Sequence, residues 1–377
     1  MNSNKKIVII INSLTPGGAE NQVVNMLNLL QNNFEFHVIT LLKNDDNFIK
    51  KNIDLNKVFI HALNSPQKPY FFPIVFLSVL KLAKKIKPDL VHGILFYGNI
   101  LSRGVNFVIG CKTVNSIYDI SEEPAFKLRL LKMSNNRTHK IFIDNKSGKE
   151  NYVVKKIARA EQMIYTPNGI EFTGNLTSND EIRAAIYRKI GFNKKDRLWL
   201  NVSRFATQKD HVTLIKTFAL LVTIDPINKL ILVGDGDLVE EIKTMIITYR
   251  LEKNVFYLGR INDIYTLCKT CNIYVCSSAW EGMPIIIMQA MLFKLPVVST
   301  AVGAIPDLIE DKITGYLCER RNPESLLDAM TKMIATTTVK KEEIKELAFK
   351  KIKEEFSLER LKENWLKNYN DILNDNP

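Results

Sequence analysis

Along the chain, short β-branched runs alternate with stretches whose apolar residues recur at helical spacing, and Gly-rich or polar turns separate them. That rhythm predicts parallel sheets wrapped by helices, and it occurs once in each half of the chain. In the first half, strands are expected near Lys6–Ile11, Phe36–Leu41, Val58–Ala62, Leu90–His92, Thr113–Ser116, Lys140–Ile143 and Met163–Tyr165. The second half repeats the scheme near Leu198–Val202, Lys229–Val233, Val255–Leu258, Ile273–Cys276 and Pro296–Ser299. Between the halves, Thr166-Pro167-Asn168-Gly169-Ile170 and the polar stretch from Thr173 to Asp180 break both periodicities. The expected organisation is therefore a first α/β domain over residues 1–166 and a second over 167–355. Within the second, Asn322-Pro323-Glu324 reads as a helix start, and a Lys/Glu-rich helix follows from Val339. The closing segment, 356–377, starts an amphipathic helix at Ser357-Leu358-Glu359-Arg360 that runs to about Leu373 and is expected to cross back onto the first domain.

Length and composition fit this picture: 377 residues with 46% hydrophobic and 24% charged content suit two soluble domains. The longest apolar stretch, Tyr70 to Leu80, is about half of the roughly 20 residues a bilayer span needs. The opening Met-Asn-Ser-Asn-Lys-Lys runs directly into a strand without a cleavage signature, so neither a signal peptide nor a transmembrane helix is expected and the location reads as cytoplasmic. Cys111, Cys268, Cys271, Cys276 and Cys318 are an odd set that fits reduced thiols. Cys268 and Cys271 form a C-x-x-C with no second pair or nearby His, which favours a helix end entering a buried strand over a metal site. No metal and no cofactor is expected.

Charge changes the picture more. Of the net +12, residues 1–166 carry +11, from 23 Lys and Arg against 12 Asp and Glu. Such a bias suits nucleic acid, an anionic lipid surface or a phosphorylated acceptor, and equally a solvated basic face. No nucleic-acid recognition motif or aromatic-basic stacking set accompanies it, which argues against a nucleic-acid partner.

Three segments can do chemistry. After the first strand come Gly17 and Gly18, where paired glycines would let backbone amides approach an anion at a helix N-terminus, although a tight turn needs no more than this. Neither G-x-G-x-x-G nor G-K-[ST] is present. In the second half, Arg204 and Lys209 follow a strand end, where open parallel sheets bind ligands, and could grip a diphosphate by a planar fork and a point charge. The third segment is Trp280-Glu281-Gly282-Met283-Pro284-Ile285, in which Pro284 opens a helix and leaves the amides around Met283 to Ile285 free for an anion. Gln289 follows Glu281 by two helical turns, about 12 Å at 1.5 Å per residue.

The order of several motifs carries a resemblance. Gly17-Gly18-Ala19-Glu20, Asp89-Leu90-Val91-His92, Pro167-Asn168-Gly169-Ile170, Ser203-Arg204 to Lys209 and Val233-Gly234-Asp235-Gly236 are followed by Leu258-Gly259-Arg260, Glu281-Gly282, Pro296-Val297-Val298, Gly303 and Gly315-Tyr316-Leu317. Taken together the chain resembles the family-four retaining glycosyltransferases, the glycosyl transferases group 1. The resemblance implies a GT-B fold: α/β, with two Rossmann-like doubly wound domains facing each other across a cleft. It implies that Arg204 and Lys209, with Gly17, Gly18 and the backbone of Met283, Pro284 and Ile285, hold the donor diphosphate. Gly234, Gly259, Arg260, Ile261 and Gln289 would serve the nucleoside, while Glu281, Gly282 and Met283 meet the donor sugar. Two departures stand out. The family's second Glu is Gln289 here, an amide without the carboxylate's charge. The His that many relatives carry after the fifth strand is absent from Thr113-Val114-Asn115-Ser116-Ile117-Tyr118-Asp119, leaving backbone, Asn115, Tyr118 or Asp119 for its role. His92 is a candidate acceptor-side catalytic residue, or else a packed strand-end histidine.

The expected function is a metal-independent retaining transferase that moves a sugar from a nucleotide-sugar donor, a UDP-sugar, to a lipid-linked or polysaccharide-precursor acceptor in envelope glycan synthesis. A soluble acceptor and a non-catalytic nucleotide-sugar-binding subunit are the alternatives. The basic and apolar Pro124-Ala125-Phe126-Lys127-Leu128-Arg129-Leu130-Leu131-Lys132-Met133, together with Pro69-Tyr70-Phe71-Phe72-Pro73-Ile74 upstream of Lys81, Lys84, Lys85 and Lys87, suggest peripheral association with an anionic membrane, although each equally suits an ordinary helix packed on a sheet.

Overall fold

The computed structural model describes residues 5–66, 72–117, 124–171 and 177–375; Tyr118, Asp119 and Pro69 to Phe71 lie outside them. The chain divides into two compact units, residues 1–168 with 358–377, and residues 169–357.

The first unit alternates β1 (Lys6–Ile11), α1 (Gly18–Leu30), β2 (Glu35–Thr40), α2 (Asp46–Asn52), β3 (Val58–Ala62), α3 (Phe72–Ile86), β4 (Leu90–Ile94), α4 (Leu95–Ile109), β5 (Lys112–Ile117), α5 (Ala125–Met133), β6 (Lys140–Ile143), α6 (Lys146–Val154) and β7 (Met163–Tyr165). The second comprises α7 (Asp180–Ile190), β8 (Arg197–Val202), α8 (His211–Ile224), β9 (Asn228–Val233), α9 (Val239–Thr248), β10 (Val255–Tyr257), α10 (Ile264–Thr270), β11 (Ile273–Cys276), α11 (Ile285–Leu292), β12 (Val297–Thr300), α12 (Ile305–Leu308), β13 (Tyr316–Cys318), α13 (Pro323–Ala335) and α14 (Thr338–Glu355). The last helix, α15 (Leu358–Asn374), belongs to the first unit.

Both sheets are parallel, in the orders β3-β2-β1-β4-β5-β6-β7 and β10-β9-β8-β11-β12-β13. Each order reverses once, between β1 and β4 and between β8 and β11, and at such a switch point the loops leaving two neighbouring strands diverge to opposite faces and open a crevice. In the first sheet, Ile7, Ile9 and Ile11 of β1 join a core with α1 and α15, while Val8 and Ile10 turn to α3 and α4. Sandwiching of this kind explains the unbroken apolar run of β1, all of whose residues after Lys6 are buried.

Helix α15 shows how the chain's end completes the first core. Leu361, Trp365, Tyr369 and Ile372 recur at helical spacing and bury one stripe against the sheet. Trp365 and Tyr369 pack edge-on against Phe142 and Phe34. Lys112 on β5 donates its ammonium to the Ile372 and Leu373 carbonyls at 2.7 and 3.0 Å, meeting the acceptors that a helix C-terminus leaves over. Within this layer His92 is fully buried, its Nδ1 2.6 Å from the Tyr369 hydroxyl and its Nε2 2.8 Å from Ser116 Oγ.

Strand positions follow the apolar runs, with ends displaced by at most two residues. Only β13 has no counterpart among the expected strands: it is a three-residue edge strand, too short to show a period.

Two outcomes follow from the His92 layer. Tyr369→Phe removes a partner from a buried imidazole and is expected to cost about 1–3 kcal/mol in urea unfolding. Burial also drives the His92 pKa down from the ordinary 6.5 to about 3. The folded state thus holds His92 neutral while the unfolded chain takes up a proton below pH 6.5. Stability should be flat on this account above pH 6.5 and fall by about 1.4 kcal/mol per pH unit as pH drops towards 3. Urea midpoints measured between pH 7 and pH 5 check the direction.

Candidate functional site

The site grows from the switch point of the second sheet. Strand β8 ends at Val202 and runs into Ser203 and Arg204; β11 ends at Cys276 and runs into Ser277 to Gly282. Hydrogen bonds knit the two loops together. Asn201 donates its amide to the Val275 carbonyl at 2.8 Å and accepts from Ser203 Oγ at 2.9 Å. Ser277 Oγ donates to the Lys209 carbonyl at 2.9 Å, and the Ala279 amide donates to the Gln208 carbonyl at 2.8 Å.

This lacing delivers Lys209 against Glu281. The Lys209 ammonium donates to Glu281 Oε1, with only 19% and 7% of the two side chains exposed. Ser278 Oγ donates to the same oxygen at 2.6 Å. Gln208 Nε2 lies 3.5 Å from Oε2 and donates to the Trp280 carbonyl at 3.0 Å. A buried ion pair is tolerated when further hydrogen bonds satisfy its lone pairs, as Ser278 does here. Behind it, Thr300 Oγ1 donates to the Ser278 carbonyl at 2.7 Å and the Ala304 amide to the Gly282 carbonyl at 3.0 Å. Gly303 sits at φ +55°, and a Cβ there would lie 1.7 Å from the Glu281 carbonyl oxygen, so only glycine lets the two backbones meet.

Around the pair, cations and amides stay available. Arg204 is exposed and has no acidic partner among the described residues. The loop carrying it is pinned where the Phe205 amide donates to the Asp235 carbonyl at 2.9 Å. Gly234, at φ +142°, brings its Cα so close to the Ser203 carbonyl that a Cβ would stand 1.9 Å away. The Gly234 amide in turn donates to the Gly259 carbonyl at 2.9 Å, so the loops after β8, β9 and β10 form one surface. Arg260 there pairs with Asp235 at 3.2 Å, both exposed. Arg260, Ile261 and Leu258 also line a cavity of about 540 Å³ with Ile182, Lys189 and Asp263. His211, stacked on Phe205 at 4.2 Å with its Nε2 3.0 Å from Ser203 Oγ, is held neutral by burial and by the Lys209 charge, its pKa down to about 4.

Pro284 is the N-cap of α11, and the Ile285 and Ile286 amides find no acceptor among the described residues. Only the backbone of Met283 can address a ligand, because its side chain packs in the core. The 12 Å expected between Glu281 and Gln289 along a helix is corrected: α11 begins at Ile285, so only about 6 Å of that path is helical rise. The Gln289 side chain is half-buried and makes no hydrogen bond among the described residues.

In the first unit, Gly17 is the extended N-cap of α1 and Gly18 opens it, at the switch point between β1 and β4. The chain's own Glu20 carboxylate folds back there: it accepts the Glu20 amide, and its pKa is raised by burial against that bond's lowering effect. The helix end is therefore already faced by the chain's own carboxyl group.

His92 as a catalytic residue is corrected. It is sealed among Phe142, Trp365 and Tyr369, both ring nitrogens are engaged, and no face is open to a substrate. Asn115 is likewise buried, accepting from Arg103 Nε at 2.6 Å. Cys268 and Cys271 are core residues whose thiol pKa values burial pushes up, the first to about 12. Sequence reasoning passed over Ser278 and Gln208 as groups that hold Glu281. The signal was present, since Ser278 precedes Glu281 by one turn's spacing and Gln208 adjoins Lys209.

Gly303→Ala tests whether the Glu281 loop must sit where it does. Forcing a left-handed residue costs about 1–2 kcal/mol before the clash is counted. A shift of the loop by about 1 Å would lower any turnover roughly 100-fold. Melting temperature and steady-state rates of the variant measure both.

Residues 182–351 match the family described as glycosyl transferases group 1. An uncharacterized glycosyltransferase of Methanocaldococcus jannaschii is 26% identical over 291 residues, 67% of this chain and 66% of the relative. A Campylobacter jejuni N-acetylgalactosamine-N,N'-diacetylbacillosaminyl-diphospho-undecaprenol 4-alpha-N-acetylgalactosaminyltransferase is 25% identical over 354 residues, 89% of this chain and 92% of the relative. Across the curated relatives, the aligned stretch spans from about a third to nearly all of their own length. The crystal structure of an Anabaena protein in complex with UDP superposes with a TM-score of 0.83 at 20% identity, covering 97% of this chain and 100% of that one, a likeness of fold. The two Rossmann-like units are thus those of the GT-B fold, and the group 1 match lies wholly within the second of them.

Proposed function

We propose that the protein is a retaining glycosyltransferase that moves a sugar from a UDP-sugar to a lipid-linked glycan acceptor at the membrane surface, without a metal. The observation that carries this reading is the Lys209–Glu281 pair beside the exposed Arg204 and the unclaimed Ile285 and Ile286 amides, all within the group 1 region. Departure of a nucleoside diphosphate builds negative charge on the leaving phosphate. Two cations and two helix-end amides fixed in advance can stabilise it, each worth a few kcal/mol in a dry site. In this structure Glu281 is the partner of Lys209. A diphosphate arriving at Lys209 would take over that role and free the Glu281 carboxylate to accept hydrogen bonds from the donor sugar. The cavity beside Arg260 and Ile261, with Gln289, is the proposed nucleoside side.

The donor and acceptor classes rest on likeness. The Anabaena protein was crystallised with UDP. An Escherichia coli relative, 24% identical over 273 residues, is a UDP-Gal:alpha-D-GlcNAc-diphosphoundecaprenol alpha-1,3-galactosyltransferase, and the Campylobacter relative also acts on a diphospho-undecaprenol. Among the described residues no helix is long and apolar enough to cross a membrane, so such an acceptor would be met from the surface.

Thermal-shift binding of a nucleotide-sugar panel, followed by transfer assays with and without a chelator, tests the reading. A UDP-sugar should raise the melting temperature and transfer should survive the chelator. Glu281→Ala, and Glu281→Gln as the gentler change, should lower turnover at least ~100-fold with modest loss of nucleotide binding, and Arg204→Ala should weaken both. Intact turnover in the Glu281 variants would remove Glu281 from the site.

A further inference from the structure

Helices α3, α4 and α5 cover one face of the first sheet, and α5 is unlike an ordinary covering helix. At about 100° per residue, its core-facing Leu128 and Leu131 lie together, and Phe126, Leu130 and Met133 fall within an arc of about 60° on the opposite side. Those three are 62%, 44% and 70% exposed. Arg129 and Lys132 lie to one side of the arc, about 40° and 100° beyond Met133, both exposed and without an acidic partner among the described residues, and α5 itself contains no acidic residue. Lone exposed apolar side chains are ordinary on a soluble surface, whereas three in one stripe with exposed cations along one side are not.

The helix is also held firmly with this face outward. Arg103 of α4 is buried; its NH1 donates to the Leu131 carbonyl at 2.6 Å and to Ser134 Oγ at 2.9 Å, while its Nε is bonded to Asn115 on β5. On the same side of the sheet, α3 exposes Ile74 and Leu77 above Lys81, Lys84 and Lys85, and α4 exposes Phe107 beneath the Arg137 guanidinium at 4.7 Å.

We propose that α5 seats the first unit on an anionic bilayer, with Phe126, Leu130 and Met133 entering the boundary between headgroups and acyl chains while Arg129 and Lys132 meet lipid phosphates. Chemistry selects this occupant. A symmetric pairing of two copies through α5 would set unpaired cations against cations, whereas an anionic leaflet offers apolar depth and opposite charge together. The proposal rests on the lipid-linked acceptor reading for its purpose, because the donor-side residues lie in the other unit.

Co-sedimentation with vesicles of phosphatidylglycerol and phosphatidylcholine in equal parts, and with phosphatidylcholine alone, is the test. The wild-type chain should sediment with the anionic vesicles. Joint replacement F126S, L130S and M133S should cut its partition about tenfold or more, and R129E with K132E should abolish the preference for anionic over neutral vesicles. All five positions are exposed, so unfolding midpoints should stay put and confirm that the variants fold. UDP-induced thermal stabilisation should be the same in every variant. Wild-type protein that ignores anionic vesicles, variants that bind as well as wild type, or a concentration-dependent dimer that F126S, L130S and M133S dissolve would each overturn the seating role. Loss of the UDP response in the wild type would instead overturn the donor reading and leave the vesicle result to stand by itself.

Discussion

A buried charge must have a partner, and in the second unit that requirement shapes everything around the switch point. Lys209 and Glu281 come from loops more than 70 residues apart in sequence, and each is mostly withdrawn from water. Withdrawal costs several kcal/mol per ion unless the partner and further hydrogen bonds offset it. The offset is visible in Ser278 on the carboxylate, in Gln208 across the loop, and in the glycine that lets the Glu281 backbone come close. Removing either ion strands the other, whereas removing Ser278 or Gln208 takes a supporting hydrogen bond from the pair. The same arrangement suits a ligand that is itself a buried anion, since Lys209 can exchange one negative partner for another without becoming unpaired.

The first unit uses polarity differently. At the amide end of α1, Glu20 already answers the helix dipole, and the buried histidine of β4 is neutral and saturated. Its reactive-looking groups are committed to structure. What it leaves unanswered is on the outside: cations without carboxylates and apolar side chains without a core.

How much of this was legible in the sequence depends on whether the signal was local. Strands buried on both faces announce themselves as apolar runs, so β1, β6 and β11 are found at their expected limits. The short β13 carries no period and is defined by pairing with β12, a tertiary fact. Arg204, Lys209 and Glu281 stand out because charge at a strand end in an open parallel sheet is informative. The fate of His92 could not be read in the same way. Its neighbours Tyr369 and Trp365 lie 277 and 273 positions away, and without α15 in place the residue looks like a strand-end histidine open to a substrate. Gln208 and Ser278 were written beside the charged residues, yet their role required knowing that two loops share hydrogen bonds.

Helix α15 carries a further consequence for how the protein is made. The first sheet leaves the ribosome with one of its apolar faces covered only in part, by α1, and the helix that closes it is encoded after the whole of the second unit. At about 5–20 residues per second, the intervening residues take on the order of 10–40 s to synthesise. Throughout that interval Phe34, Phe142 and Met26 have no lid, so the nascent chain presents a sticky surface that only the final helix retires.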